Sequence, residues 1–286
     1  MSGSPPDPVE RDSRGILDPW LLRQRVRLTR YPAGPALAGL VDRFWAVSWD
    51  LPAGTSHRQQ VLTHPGANIS AGAANGQPGD REARPPEAVL NGVARGLSTR
   101  LLAGAGWTVA ALTRPGGLGA FIAGPASAYT DRVVPLGQAI RVDGAALLGR
   151  ISAEPDEAAR VELLAAALRQ AVIADRVPAA TRVAEVARLA ETSREVRRLD
   201  DLCALAGIGR RTLQRMFMDC AGVSPVWVIR RYRLLEAAET VRAGTAVSWA
   251  ELAAGLGYAD QAHLTRDFRA AIGQTPAAYA GAQRAG

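Results

Sequence analysis

The sequence contains no lysine, so all 34 of its basic side chains are arginine, set against 27 acids for a net charge of +7. In a chain this rich in alanine and glycine, that choice reflects coding bias as much as selection for a polyanionic partner. Overall charge is therefore weak evidence, and the placement of the arginines matters more. There are only two cysteines, Cys203 and Cys220. That count excludes a disulfide framework and a cysteine metal site, and leaves both as small apolar residues. No run of 18 apolar residues occurs, which excludes a transmembrane helix. The opening MSGSPPDPVERDSRG has no basic-then-apolar signal pattern, so the expectation is a cytoplasmic protein.

Catalytic side chains are equally scarce. The first half holds two histidines, His57 and His64, on different presumptive segments. Three convergent ligands with an open position are not assembled, so no metal is expected. Ser56-His57 has no third triad partner. Gly116-Gly-Leu-Gly119 lacks the strand, helix and acidic partner of a dinucleotide site and reads as a turn. The expectation is no cofactor and no enzymatic activity.

What the sequence does have is a repeat. Leu199 to Pro225 reads as a short helix, a tight turn at Gly207, a second helix opened by Gly209, and a stop at Gly222. Leu213, Met216, Phe217 and Cys220 share one face of the second helix, and Arg210, Arg211, Gln214, Arg215 and Met218 fall mostly on the other. Helix, glycine turn, helix is the pattern of a helix-turn-helix. The bland alternative is a helical hairpin with a solvated basic face. Recurrence decides between them: Leu213-x-Arg215-x-Phe217 returns as Leu264-x-Arg266-x-Phe268, and Gly222-x-x-Pro225 as Gly273-x-x-Pro276, always 51 positions on (213 to 264, 225 to 276). Between the copies lies an uninterrupted helical stretch of about 17 residues, hence about 25 Å long. Six arginines and one acid, Asp219, fall between positions 210 and 233. That local density fits a surface facing phosphates.

The segment from about Thr181 to Tyr279 resembles the DNA-binding domain of AraC/XylS-type transcriptional regulators. The resemblance is carried by Leu213-Gln-Arg215-Met-Phe217, by Gly222-Val-Ser-Pro225, and by Arg233-Leu-x-x-Ala237. The closing run Gly257-Tyr-x-Asp-Gln-Ala-His-Leu264-Thr-Arg266-Asp-Phe268, with Gly273-Gln-Thr-Pro276, is the most specific part. The family usually opens the first recognition helix with serine; here Gly209 stands there, an acceptable cap. DNA-repair methyltransferases with a similar helical domain need reactive cysteines in their first half, and this chain has none there.

The first half reads as β-rich. Phe44–Trp49, Gln59–His64, Ala67–Ser70, Val89–Val93, Ser98–Leu102, Thr108–Thr113 and Ala120–Ala123 are short strand segments at fairly regular spacing, with glycine-rich turns. Ala73–Glu87 reads as an exposed loop. This half resembles, less specifically, the degenerate cupin-like N-terminal domain of some regulators of the same family, on Tyr31-Pro32, Phe44-Trp45, His64-Pro65-Gly66-Ala-Asn68 and Arg114-Pro-Gly-Gly117. That likeness implies a sensory or dimerising domain. Glu157 to Ile173 reads as an amphipathic helix, with Val161, Leu164, Ala165 and Leu168 on one face. It either packs on the barrel or forms the interface of a homodimer.

The expected fold is therefore α+β: a disordered tail over 1–19, a β-rich barrel-like effector or dimerisation domain over 20–175, and a double helix-turn-helix domain over 176–286. Asp175–Ala180 is expected to be a linker, with Thr181 capping the first helix of the DNA-binding domain. The expected function is sequence-specific DNA binding in transcriptional regulation, with two recognition helices in adjacent major grooves of double-stranded DNA. The base-reading set is Arg211, Gln214 and Arg215 in the first helix and Gln261, Ala262, Thr265 and Arg266 in the second. Arg210, Arg230, Arg231 and His263 are assigned to phosphates. Trp45, Trp49 and Trp107 are the aromatic residues for a pocket holding a small-molecule effector. RNA polymerase is a further partner that the resemblance leaves open, and no membrane partner is expected. The alternative, from another class, is a small-molecule-binding or enzymatic β-barrel whose helical domain serves protein contacts. Sequence preference in a gel shift separates the two.

Overall fold

The computed structural model describes residues 15–17, 24–72, 86–242 and 248–285. Among these described residues eight strands come first: β1 (Val26–Pro32), β2 (Val41–Asp50), β3 (Ser56–Val61), β4 (Asn68–Gly72), β5 (Glu87–Asn91), β6 (Ser98–Ala103), β7 (Ala105–Thr113) and β8 (Val133–Pro135). Six of them form one antiparallel sheet in the order β1-β2-β7-β4-β5-β8, and β3 pairs with β6 in a separate ribbon. The expected barrel is thus corrected to an open sheet faced by a ribbon. Both outer strands end in proline, Pro32 and Pro135, which cannot donate to a further ladder.

Side chains alternate across the sheet with the period of two that a strand imposes. Phe44 and Ala46 of β2, Val109 and Ala111 of β7, and Ile69 and Ala71 of β4 all enter one core. That core is closed by the helices α1 (Gly144–Ala153) and α2 (Glu157–Ala171). Asp143 and Asp156 cap them, accepting from the amides of Ala146 and Ala159 at 2.9 and 2.8 Å. The apolar stripe of α2, Val161, Leu164, Ala165 and Leu168, is buried against this sheet. Of the two roles open to it, packing on the β domain is the one seen, and the stripe offers no ground for a dimer.

The helical half contains α3 (Val177–Thr192), α4 (Leu199–Ala206), α5 (Arg210–Cys220), α6 (Pro225–Arg242), α7 (Trp249–Gly255), α8 (Gln261–Ile272) and α9 (Pro276–Ala285). The expected linker at 175–180 is mostly helix, because α3 starts at Val177 with Pro178 in its first turn, where a missing N–H costs nothing. Thr181 lies inside α3 and caps nothing. Ala120 and Phe121 are not strand: Gly117–Ala120 is a buried 3-10 turn wedged against α3 and α5.

The two halves share a core. Leu17, Leu62 and Val93 from the first half pack with the buried residues of α3 to α9. The tail expected over 1–19 lies outside the described residues except for 15–17. There Leu17 is buried and its carbonyl accepts from Gln283 at 2.8 Å and from the Tyr279 hydroxyl at 3.4 Å. Most of the loop expected at Ala73–Glu87 also lies outside the described residues. No helix among the described residues is long and apolar enough to cross a membrane. Both cysteines are free thiols; Cys220 is buried, and burial pushes its thiol up to about 11.

Candidate nucleic-acid interface

Each recognition helix is positioned by its apolar face. Leu213, Phe217 and Cys220 of α5 are buried, as are Leu264, Phe268 and Ile272 of α8. With those side chains inward, the helical period turns Arg211, Gln214 and Arg215 outward on α5, and Gln261, Ala262 and Arg266 outward on α8; all six are exposed. Thr265 is half-buried at the edge of its face. The helices end alike, with Gly222 at φ 78 and Gly273 at φ 85, the left-handed conformation that closes a helix. They begin differently. Gly209 gives α5 no side-chain cap, whereas Asp260 accepts from the amide of His263 at 2.7 Å and caps α8.

The arginines assigned to phosphates part company. Arg230 is exposed on α6. Arg210 is also exposed, and its guanidinium is paired with the Asp200 carboxylate of α4, which holds that carboxyl below its usual range. His263 stands edge-on to the Tyr258 ring, centroids 5.1 Å apart. Arg230 and His263, from different helices, line one groove between the two helix-turn-helix units. Arg197 and Arg198, which the sequence did not single out, line it too. The signal for them was present: a basic pair directly before α4. The Asp201 carboxylate accepts from both of their amides, at 3.0 and 2.8 Å, and fixes the backbone that carries them.

Arg231 is a correction. Its side chain is 2% exposed and cannot reach a phosphate. It donates instead to the carbonyls of Thr63 at 3.4 Å, Ala94 at 3.4 Å and Arg95 at 2.5 Å, all in the β-rich half, while its guanidinium stacks over Trp227 at 4.6 Å. Burial brings its pKa down to about 10. Adjacent helix positions point about 100° apart, so an RR pair on a half-buried helix sends one guanidinium out and the other in.

The tryptophans also divide. Trp45 and Trp49 line a cleft of about 230 Å³ between the sheet and the β3–β6 ribbon. Trp107 is corrected to the opposite face, where Arg160 of α2 stacks over it at 4.2 Å. Trp107 pairs with Ser48 across the β2–β7 ladder, so the alternation that aims Trp45 and Trp49 into the cleft aims Trp107 away from it. Among the described residues no cluster of three metal-binding side chains occurs.

A family model described as a helix-turn-helix domain matches residues 202–282, and one described as a domain of unknown function matches residues 29–135. No curated protein is significantly similar. Among solved structures, the chain is 32% identical to the DNA-binding domain of AdpA, a global transcriptional factor, in complex with a target DNA. That match covers 36% of this chain and 94% of the other, with a TM-score of 0.33. It is 10% identical to ToxT from Vibrio cholerae over 90% of this chain and 98% of that one, TM-score 0.40. A ToxT structure bound to (E)-4-(8-methylnaphthalen-1-yl)but-3-enoic acid matches similarly, at 10% identity and TM-score 0.40. The outward polar faces of α5 and α8, and the near-complete coverage of a DNA-bound relative at that identity, make this chain a member of the AraC/XylS family of DNA-binding transcriptional regulators.

Proposed function

We propose that one chain reads two neighbouring major grooves of double-stranded DNA, α5 in one and α8 in the next. The observation that carries this is the equivalence of the two faces. At positions 51 apart, Arg215 and Arg266 are both exposed, on helices whose Leu and Phe anchors are both buried. The two units sit at either end of α6, an 18-residue helix. Its length is about 27 Å at 1.5 Å per residue. Successive major grooves on one side of B-DNA are about 34 Å apart, a difference that side-chain reach and helix tilt can span. Arg211, Arg215 and Arg266 suit guanine, and Gln214 and Gln261 suit adenine, while Ala262 and Thr265 suit the thymine methyl. Arg230 and His263, with Arg197 and Arg198 beside them, suit the phosphates between the two grooves, and Arg210 those flanking α5.

The test is a gel shift on genomic fragments at two salt concentrations, followed by a footprint on the preferred fragment. The expected result is a sequence preference at both salts and protection of two major-groove segments about one helical turn apart. Protection of a single segment, unaltered by Arg266→Ala, would remove α8 from the DNA.

The cleft bearing Trp45 and Trp49 is proposed as an effector site. Thr63 lines that cleft, and its carbonyl accepts from Arg231 of α6, so the cleft wall is bonded directly to the helix that joins the two DNA-reading units.

A further inference from the structure

The outward face of α5 carries one side chain that the proposed contacts leave unused. Among the described residues three large apolar side chains are exposed, Val133, Leu205 and Met218. Met218 is the one that lies on a reading helix, and it is 40% exposed. At about 100° per residue it projects between Arg211 and Gln214, on the midline of the face that Arg215 also shares. Arg211, Gln214, Arg215 and Met218 stand at i, i+3, i+4 and i+7. A homeodomain helix reads bases in the major groove from positions of that same spacing. The roll of α5 is fixed on both sides of Met218. Phe217 is 0% exposed in the helical core, and Asp219 is bonded to Arg176 at 2.9 Å. Turning Met218 inward would draw Phe217 into water, so the thioether stays on the outward face.

We infer that Met218 reads the C5 methyl of a thymine in the groove that α5 enters. The inference rests on the proposed placement of α5 in a major groove. A thioether has no N–H or O–H to donate and is only a weak acceptor, so Met218 cannot bond a phosphate and gains little from a polar base edge. The thymine methyl is the apolar group that unmodified base pairs present in the major groove. An unbranched, polarizable side chain adapts to such a contact without a rigid fit. Its neighbours supply the polar part of the same face, the arginines suited to guanine and the glutamine to adenine. Met218 completes this set and extends the reading toward the C-terminal end of α5. The second unit differs at the equivalent position: 51 residues on stands Arg269, which is exposed on α8. One groove therefore calls for a methyl where the other calls for an acceptor, and the two half-sites are not interchangeable.

The experiment is a fluorescence-anisotropy titration of the full-length protein on its preferred fragment. Each thymine in the protected segments is replaced singly by deoxyuridine, which lacks only the C5 methyl. The expected result is a replacement that weakens binding about threefold to fourfold, the worth of one buried methyl, and does so through Met218. Met218→Ala should bind the thymine and deoxyuridine forms of that fragment equally. Because Met218 is exposed, the variant should keep its circular dichroism spectrum and melting temperature. A scan in which no deoxyuridine replacement matters overturns the inference, as does a Met218→Ala protein that keeps every thymine preference of the unaltered one. Arg215→Ala on the same fragments separates this result from the reading beneath it. If Arg215→Ala loses preference at its base pair while Met218→Ala keeps the methyl effects, α5 lies in the groove and the role of Met218 alone is refuted. If neither variant alters preference, α5 lies outside the groove and both readings fall.

Discussion

The two helix-turn-helix units have one sequence pattern and two different surroundings. The first is clamped to the β-rich half. Thr130 Oγ1 donates to the Gly222 carbonyl at 2.6 Å. Arg176 bridges from the Gly119 carbonyl at 2.6 Å to Asp219 at 2.9 Å, and the backbone of Gly119 lies so close to Cys220 that a Cβ there would come within 2.9 Å of the cysteine Cα. The second unit, α7 and α8, packs on α6 and α9, and among the described residues it has no hydrogen bond to the β-rich half. One pattern of buried Leu and Phe therefore serves two roles. In the first unit the helix it anchors is also bonded outside the unit, through Gly222 to Thr130 and through Asp219 to Arg176; in the second the pattern packs the unit on α6 and α9.

Substitutions can break this comparison, and the largest effect is expected at Arg231. Replacing it with alanine strands three carbonyls and uncovers Trp227. It should cost about 2–4 kcal/mol of stability in urea denaturation. Arg230→Ala, one residue away and exposed, should change stability by less than about 0.5 kcal/mol. It should instead weaken all DNA sequences alike and lower the salt slope by about one. A reversal of these two outcomes would mean that the clamp is not formed in solution.

The paired glycines give the next contrast. Gly222 and Gly273 share a left-handed conformation, so alanine at either should cost about 1 kcal/mol. At Gly222 a Cβ would also lie 2.8 Å from both the Ala126 carbonyl oxygen and Thr130 Oγ1, whereas at Gly273 it would meet nothing. Gly222→Ala should therefore lower the melting temperature by clearly more than Gly273→Ala, with a total cost of about 2–3 kcal/mol. Equal shifts would show that α5 is not pressed against the β-rich half.

On DNA the units should look alike. Arg215→Ala and Arg266→Ala should each cost about 1–3 kcal/mol at the preferred site and relax preference at one base pair, with stability unchanged. A cost at Arg215 alone would leave α8 outside the groove. The smallest effect is expected at Asp219, whose bridge to Arg176 is half-exposed: Asp219→Ala should destabilise by less than about 1 kcal/mol in thermal melts.

Most of the DNA-reading half was legible in the sequence, because its determinants are local. Leu213 and Phe217, like Leu264 and Phe268, are four apart, so one face of each helix had to be buried and the opposite one turned outward. Gly222 and Gly273 end those helices because glycine takes positive φ without strain. The strands β2 and β7 were also legible from their aromatic and β-branched residues, although Ala and Gly diluted the strand signal and made Ala120–Ala123 look extended. What the sequence left open was which surface covers each face. Trp45 and Trp107 are similar residues in strands of similar character, and only the register of β2 against β7 puts them on opposite sides of the sheet.

The sequence by itself determined the repeat, its caps, and the outward face of each reading helix, since hydrophobic period and capping depend on residues a few positions apart. The tertiary structure alone decided that Arg231 turns inward while Arg230 stays in water, for the carbonyls that hold Arg231 lie 136 to 168 positions away in the chain. It also decided that Leu17 completes the helical core, and that Arg100 of the ribbon reaches across to Asn91 of the sheet. A contact across that separation is chosen by which surfaces remain uncovered once the local elements have formed, and no short-range pattern encodes it.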